Sequence, residues 1–467
     1  MLKKKLFTSA MALGLAAAML AGCGGSGTQP SNEKGSSEPA AAAAQTSEES
    51  KEESPKAPAE PVELKILTYN GVKDNDGTYM LEKQIAAYTA ENPNVTITFD
   101  MQSENNSVDF LKKLDLMQLS GETADIILIA SYRDMADRAA QDFFAPLDEC
   151  MTDEGIVYED VYSYPSEING QHYAIPYNAG IYHVLINKTM MEEAGLTVPP
   201  ADWTWDDYRE YAQKMTKGEG AEKIYGSYMH TWTEYRREGL FNSKMDNPYV
   251  KEDGSSNLDD PDLKDWLQFI YDMENEDKCQ VPYSDAIATN MAYRDVFFQG
   301  KAAMVLTGSW IYDDINNTEK FPHDFETVFA TFPRWKDGPA ERTQGSASYY
   351  AVGKNCKNVP EAYKFLRWMS TRGAEVVNDF PTELGADFTS TITAKIAGHE
   401  DLYDVDSLMN IWGSKNMEAN AVYSEPELFK VVDDIFNVET GKFMIGGQDL
   451  ETTLKNIQDQ AAPEFEK

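Results

Sequence analysis

Cys23 is the side chain whose neighbours in sequence most directly specify chemistry. Lys3, Lys4 and Lys5 lead into an apolar run over residues 6–20, and Leu20-Ala21-Gly22 stand immediately before the cysteine. A basic head, an apolar centre and a small-residue cleavage site make a secretion leader, removed on export. The thiol of Cys23 stands directly after that small-residue site. The apolar run is shorter than the roughly 20 residues a helix needs to cross a bilayer, so no span is expected there.

Catalytic patterns are absent from the sequence. No GxSxG, HExxH or Walker A motif occurs, and the five histidines are scattered without metal-ligand spacing, which points to structural or surface roles. A glycoside hydrolase would need two placed carboxylates. Among 78 Asp and Glu residues, close pairs arise by chance and carry no information. Asp74-Asn75-Asp76-Gly77 begins like a calcium loop, but the later ligands of that loop are missing and a polar turn is expected. Besides Cys23, only Cys150, Cys279 and Cys356 occur, widely spaced and odd in number. Each is expected as a small buried apolar residue, with one disulfide left open as an alternative. The formal net charge of −37 favours solubility and argues against nucleic acid and anionic lipid surfaces as partners.

The side chains suited to binding stand where strands end. Asn70 follows an alternating stretch at 64–69, and Tyr132 and Arg133 follow the continuous apolar run 126–129. Trp310 follows Gly308-Ser309 at the end of a small-residue and aliphatic strand over 302–306, and Trp232 closes His230-Thr231-Trp232. Each has an ordinary alternative: a turn amide for Asn70, a surface ion pair for Arg133, a packed ring for the tryptophans. The elements that must hold them read as strand and helix in alternation. A helix is predicted from near Thr78, with Leu81, Ile85 and Tyr88 on one face and a stop at Asn92-Pro93. A second strand is expected at 95–99 and a second helix carrying Phe110, Leu111, Leu114 and Met117 to near Gly121. Residues 168–176 resemble a hairpin, 182–187 a strand, and Thr204-Trp205-Asp206-Asp207 a helix-capping box. Helices are also predicted to close at Gly300, over 360–369, and at the C terminus with Leu450, Leu454, Ile457 and Ala461 on one face. Such alternation indicates an α/β fold with a largely parallel sheet. Residues 24–61 contain no aromatic and almost no large aliphatic side chain, so they cannot bury enough surface to fold and read as a flexible spacer.

Two resemblances add to this. The placement of Cys23 after Leu-Ala-Gly resembles the lipobox of bacterial lipoproteins, in which the cysteine is diacylated and anchors the chain. The ordered pieces Leu67-Thr68-Tyr69-Asn70-Gly71, Glu91-Asn92-Pro93-Asn94-Val95, Ala124-Asp125-Ile126-Ile127, Ala174-Ile175-Pro176-Tyr177, Leu185-Ile186-Asn187-Lys188, Phe298-Gln299-Gly300-Lys301-Ala302-Ala303-Met304 and Gly308-Ser309-Trp310 resemble family 1 of the extracellular solute-binding proteins. These are the carbohydrate receptors of ABC importers.

The resemblance implies a two-lobed, periplasmic-binding-protein-like α/β fold, each lobe a mostly parallel sheet flanked by helices. Residues 1–22 would be the signal peptide and 23–62 the lipidated linker. Residues 63–176 with 353–382 would form lobe 1, and 177–352 with 383–467 lobe 2. It further implies a monomeric, non-enzymatic receptor on the outer face of the membrane, without a cofactor or metal, that passes a carbohydrate to ABC permease subunits. A secreted glycan hydrolase, or the same fold holding a non-sugar solute, are the alternatives. Ligand contacts would come from Asn70, Tyr132, Arg133, Asn178, Trp232, Trp310, Arg342, Gly345 and Ser346; a hinge amide is the rival for Asn178 and a turn for Gly345. Where maltodextrin-binding members carry a tryptophan and a late aromatic pair, this chain has Ile129 and Pro426-Glu427. A saccharide other than maltose is therefore expected.

Overall fold

A computed structural model describes residues 60–466 apart from 75–76, 123, 163, 244–246, 342–344 and 414–425. The leader, Cys23, most of the spacer and Arg342 lie outside the described residues.

Among the described residues, ten strands organise the fold: β1 (Val62–Thr68), β2 (Val95–Met101), β3 (Ile126–Ile129), β4 (Glu167–Ile168), β5 (Gln171–His172), β6 (Ala174–Asn187), β7 (Tyr225–Tyr228), β8 (Ala302–Gly308), β9 (Thr327–Ala330) and β10 (Gly345–Val352). The main sheet runs β2-β1-β3-β10-β6-β8-β7, with β9 also on β6, and β4-β5 is a separate hairpin. Neighbours β2-β1-β3 and β8-β7 are parallel, joined by helical crossovers; in the main sheet every antiparallel pair involves β6 or β10.

β6 ties the two halves together. Its first part pairs with β10, from Ala174↔Ala351 to Ile181↔Gly345. Its second part pairs with β8, from Tyr182↔Gly308 to Ile186↔Met304, and with β9. The sequence reads as a hairpin and a separate strand because Pro176, Asn178 and Gly180 interrupt the apolar alternation. The chain instead runs straight through for 14 residues. A bulge falls where Ser348 pairs with Asn178 but Tyr349 pairs with Pro176, leaving Tyr177 as the extra residue.

Alternate residues of the strands feed opposite cores, as the two-residue period requires. On β1 and β3, Leu64, Ile66, Ile126 and Leu128 enter one cluster, while Leu67, Ile127 and Ile129 enter another. Further along, Tyr182, Val184 and Ile186 enter a third cluster and Ile181 and Leu185 a fourth. Both faces are thus covered, which explains the unbroken apolar run of β3. Each fully buried Ile or Leu there contributes roughly 1.5–3 kcal/mol.

Helices follow their signals closely. The first expected helix is Met80–Glu91, with Leu81 and Tyr88 buried. Thr204 and Asp207 form the expected capping box on the helix Trp205–Met215. The last helix, Leu450–Phe465, buries Leu450, Ile457 and Ala461. The elements that went unread include the long helices Pro261–Asn275 and Pro426–Met444, the helix Tyr132–Ala140, and the strands β7 and β9. The three cysteines in the described residues are free thiols; Cys279 is buried and the other two partly so. No described helix is long and apolar enough to cross a membrane.

Candidate ligand-binding site

Trp310 begins where β8 ends. Gly308 lets its ring fold back over the backbone: a Cβ there would sit 2.1 Å from the ring. The indole N–H of Trp310 donates to the Tyr293 hydroxyl at 2.9 Å, and its ring meets Tyr182 of β6 edge-on at 5.1 Å. Trp232 lies 6.1 Å from Trp310 with the two planes inclined at 58°, and it stacks on His230 at 4.4 Å. Both tryptophans are half-buried and pack against the two cores flanking the second part of β6. Ring faces set at an angle, beside phenol and indole donors, suit the C–H faces and hydroxyls of a polyhydroxylated ligand. Burial, aided by Arg294, lowers the His230 pKa to about 4, so its imidazole is neutral near pH 7. Burial raises the Tyr293 phenol to about 12, which keeps it a hydrogen-bond donor.

Gly345 and Ser346 join this wall from β10. They pair with Ile181 and Gly180, and a Cβ on Gly180 would lie 2.8 Å from Ser346 Oγ. Ser309 Oγ, beside Trp310, accepts from the Ile181 N–H at 3.3 Å. Three short residues therefore bring β6, β10 and the end of β8 together.

Asn70 and Asn178 form a second group around the bulge. Asn70 turns the chain after β1, its Oδ1 accepting from Val72 N–H at 3.1 Å, while its Nδ2 donates to the Tyr177 hydroxyl at 3.2 Å. The turn expected of this amide is therefore present, and the same side chain also ties β1 to the bulge on β6. Asn178 lies beside Asp379, whose carboxyl meets Lys395 at 3.2 Å. Lys395 is 5% exposed and reaches Asp313 at 2.9 Å as well. Burial works against its charge, but the two carboxylates hold its pKa above the ordinary lysine value.

Tyr132 and Arg133 open the helix Tyr132–Ala140, capped by Ser131, whose side chain accepts from Asp134 N–H. Tyr132 packs against a core on the β1–β3 side and one on the β8 side. Arg133 spends its guanidinium on the helix Pro426–Met444, meeting Asp433 at 2.7 Å and Asp434 at 3.3 Å. Asp433 is 1% exposed there and also meets Arg237 and the Tyr249 hydroxyl. Sequence reasoning did not find Tyr182, His230 or Tyr293; in a chain with 25 tyrosines nothing marks them before the fold is known.

The comparisons with known proteins agree with this architecture. Residues 71–376 match a family model described as bacterial extracellular solute-binding protein. A multiple sugar-binding protein of Streptococcus mutans is 25% identical over 321 residues, covering 66% of this chain and 71% of that one. An arabinooligosaccharide-binding protein of Bacillus subtilis is 28% identical over 216 residues, 45% of this chain and 46% of that one. Among solved structures, an ABC substrate-binding protein of Listeria monocytogenes in complex with cycloalternan superposes with a TM-score of 0.71 at 17% identity, over 87% of this chain and 99% of that one.

Proposed function

Because the chain belongs to the bacterial extracellular solute-binding proteins, we propose that it is a monomeric receptor that encloses a sugar or short oligosaccharide between two lobes and delivers it to ABC permease subunits. The observation that carries this reading is the half-buried pair Trp232 and Trp310, backed by Tyr182 and Tyr293 beside the crossing strand β6. Residues 63–176 with 353–382 make one lobe in this reading, and 177–352 with 383–467 the other. The change of partner along β6, from β10 to β8 and β9, supports a division there. Names of relatives that refer to sugars support the ligand class.

Binding in such a fold is trapping. A ligand that touches both lobes favours the closed arrangement by its differential affinity for it. Asn70, Tyr132, Asn178, Gly345 and Ser346 line this reading's polar side, with Arg342 assigned to it by the resemblance alone. Cys23, diacylated after leader cleavage, would hold the receptor at the outer face of the membrane; two acyl chains anchor stably where one does not. Mass spectrometry of the membrane-extracted protein tests this, the expected product starting at a lipid-modified Cys23.

A thermal-shift panel of mono- and oligosaccharides tests the ligand class. A ligand at 100 times its Kd stabilises the folded state by about 2.7 kcal/mol, so the cognate saccharide raises Tm by several degrees. A panel with no response from any saccharide, together with a response to an amino acid, polyamine or phosphodiester, overturns the sugar assignment.

A further inference from the structure

We propose that the β4–β5 hairpin and the segment before it form a binding site for a divalent cation of the zinc class, held by His172 Nε2 and the carboxylates of Glu159 and Glu167. One ligand atom from each of the three lies within 4.8 Å of the others.

The hairpin itself sets two of the three. Glu167 pairs directly with His172 across the ladder, so both side chains leave on one face. The two-residue turn between the strands, Asn169 at φ 53° and Gly170 at φ 81°, fixes that register. Glu159 comes from the short helix Tyr158–Asp160, and the His172 ring stacks on Tyr158 at 4.5 Å.

Asp148 settles which nitrogen faces outward. One of its oxygens accepts the His172 backbone N–H at 3.1 Å and the other meets Nδ1 at 2.9 Å. An ionised carboxylate only accepts, so Nδ1 carries the proton and Nε2 is left to present its lone pair. A carboxylate behind a ligating imidazole is the arrangement that orients histidines on metals and raises their basicity.

The rival account is an imidazolium held between two acids, with Nε2–H donating to Glu159. Charge-assisted N–H···O bonds run to about 2.7–2.9 Å. The Asp148 contact has that length, whereas Nε2 to Glu159 Oε1 is 3.3 Å. The Glu167 carboxylate takes no hydrogen bond among the described residues. A cavity of about 220 Å³ opens beside the three groups, with Tyr162, Tyr164 and Ser166 on its walls. It leaves room for the water ligands that would complete the shell. Zinc ligand bonds are about 2.0–2.2 Å, so the exposed Glu159 and Glu167 carboxylates must draw in from their present spacing to share one ion. One imidazole with two carboxylates suits zinc and its first-row neighbours, while calcium and magnesium favour all-oxygen sites.

Calorimetric titration of the untagged, chelator-stripped protein with zinc chloride, and separately with calcium chloride, tests this. The expected result is one zinc per chain at micromolar Kd or tighter, with little calcium binding. Glu167→Gln, at an exposed position, and His172→Gln each weaken zinc binding tenfold or more, Asp148→Asn weakens it by 10- to 100-fold, and Glu149→Gln leaves it unchanged. Circular dichroism checks that the variants remain folded. Absence of saturable zinc binding, affinity unchanged in Glu167→Gln, or preference for calcium each overturns the proposal.

Discussion

The Trp310 ring is held in place by its own chain as much as by its neighbours. It folds over Gly308, bonds Tyr293 and abuts Tyr182. Replacing it with alanine removes a half-buried stacking surface, and the expected loss of sugar affinity is at least tenfold, about 1.4 kcal/mol or more, read by calorimetry. Gly308→Ala makes the same point indirectly. The added methyl would meet the ring at 2.1 Å and displace it, so affinity falls although Gly308 need not touch ligand. Two buried ionisable groups give the stability a defined pH profile. Burial lowers the His183 pKa from 6.5 to about 3, so the unfolded chain takes up a proton that the folded one refuses. Stability from this group is present above pH 6.5 and falls as pH drops toward 3. Burial raises Glu274 from 4.5 to about 8, so the folded state keeps a proton that the unfolded chain has lost. That contribution is full below pH 4.5 and disappears as pH rises through 8. Urea unfolding of Glu274→Gln against the parent checks it: parent minus variant stability should decline from pH 4.5 to 8, at up to about 1.4 kcal/mol per unit. At this scale the sequence was informative where a residue ends a strand, as for Asn70 and Trp310. It gave His172, like the other histidines, a structural or surface role, because Glu159 and Glu167 lie apart from it in sequence and meet it only through a hairpin and a short helix.

Between elements, one contact stands out. The helix Tyr132–Ala140 follows β3, and Arg133 at its start reaches Asp433 in the helix Pro426–Met444, 300 residues away. In the two-lobe reading this pair joins one lobe to the other. Arg133 is a third exposed and Asp433 retains Arg237 and Tyr249 as partners, so the cost of Arg133→Ala is well below the 3–5 kcal/mol of a fully buried pair. A loss of about 1 kcal/mol in stability is expected, with faster ligand release seen by stopped-flow fluorescence; equal release rates would mean the pair does not bear on closure. The sequence could not show this because charge pairing at such separation leaves no local pattern. The same limit explains the missed helix Pro426–Met444 and the split reading of β6. Local alternation is broken at Pro176, Asn178 and Gly180 because the strand there passes from one sheet half to the other and carries the bulge at Tyr177. By contrast β1, β2, β3 and β8 were legible, since each alternates or runs apolar according to how many of its faces are covered.

At the scale of the whole molecule, in the two-lobe reading, a mixed sheet whose strand β6 pairs on both sides of the division leaves few connections that must bend on closure. Closure around a sugar should therefore be a rigid-body change. Small-angle scattering is expected to give a smaller radius of gyration with saturating saccharide than without; an unchanged radius would indicate a cleft that is closed in both states. The net charge of −37 and a pI near 4.4 favour solubility. The general class of the fold was readable from the order of strands and helices, whereas the wall of rings depends on residues brought together from four separate segments.

Titration calorimetry with a panel of oligosaccharides, on the parent and on Trp310→Ala, tests the ligand assignment most directly. The account predicts one saccharide bound per parent molecule and at least tenfold weaker binding to the variant. Equal affinity in both proteins, or no saccharide bound by a folded parent, would contradict it.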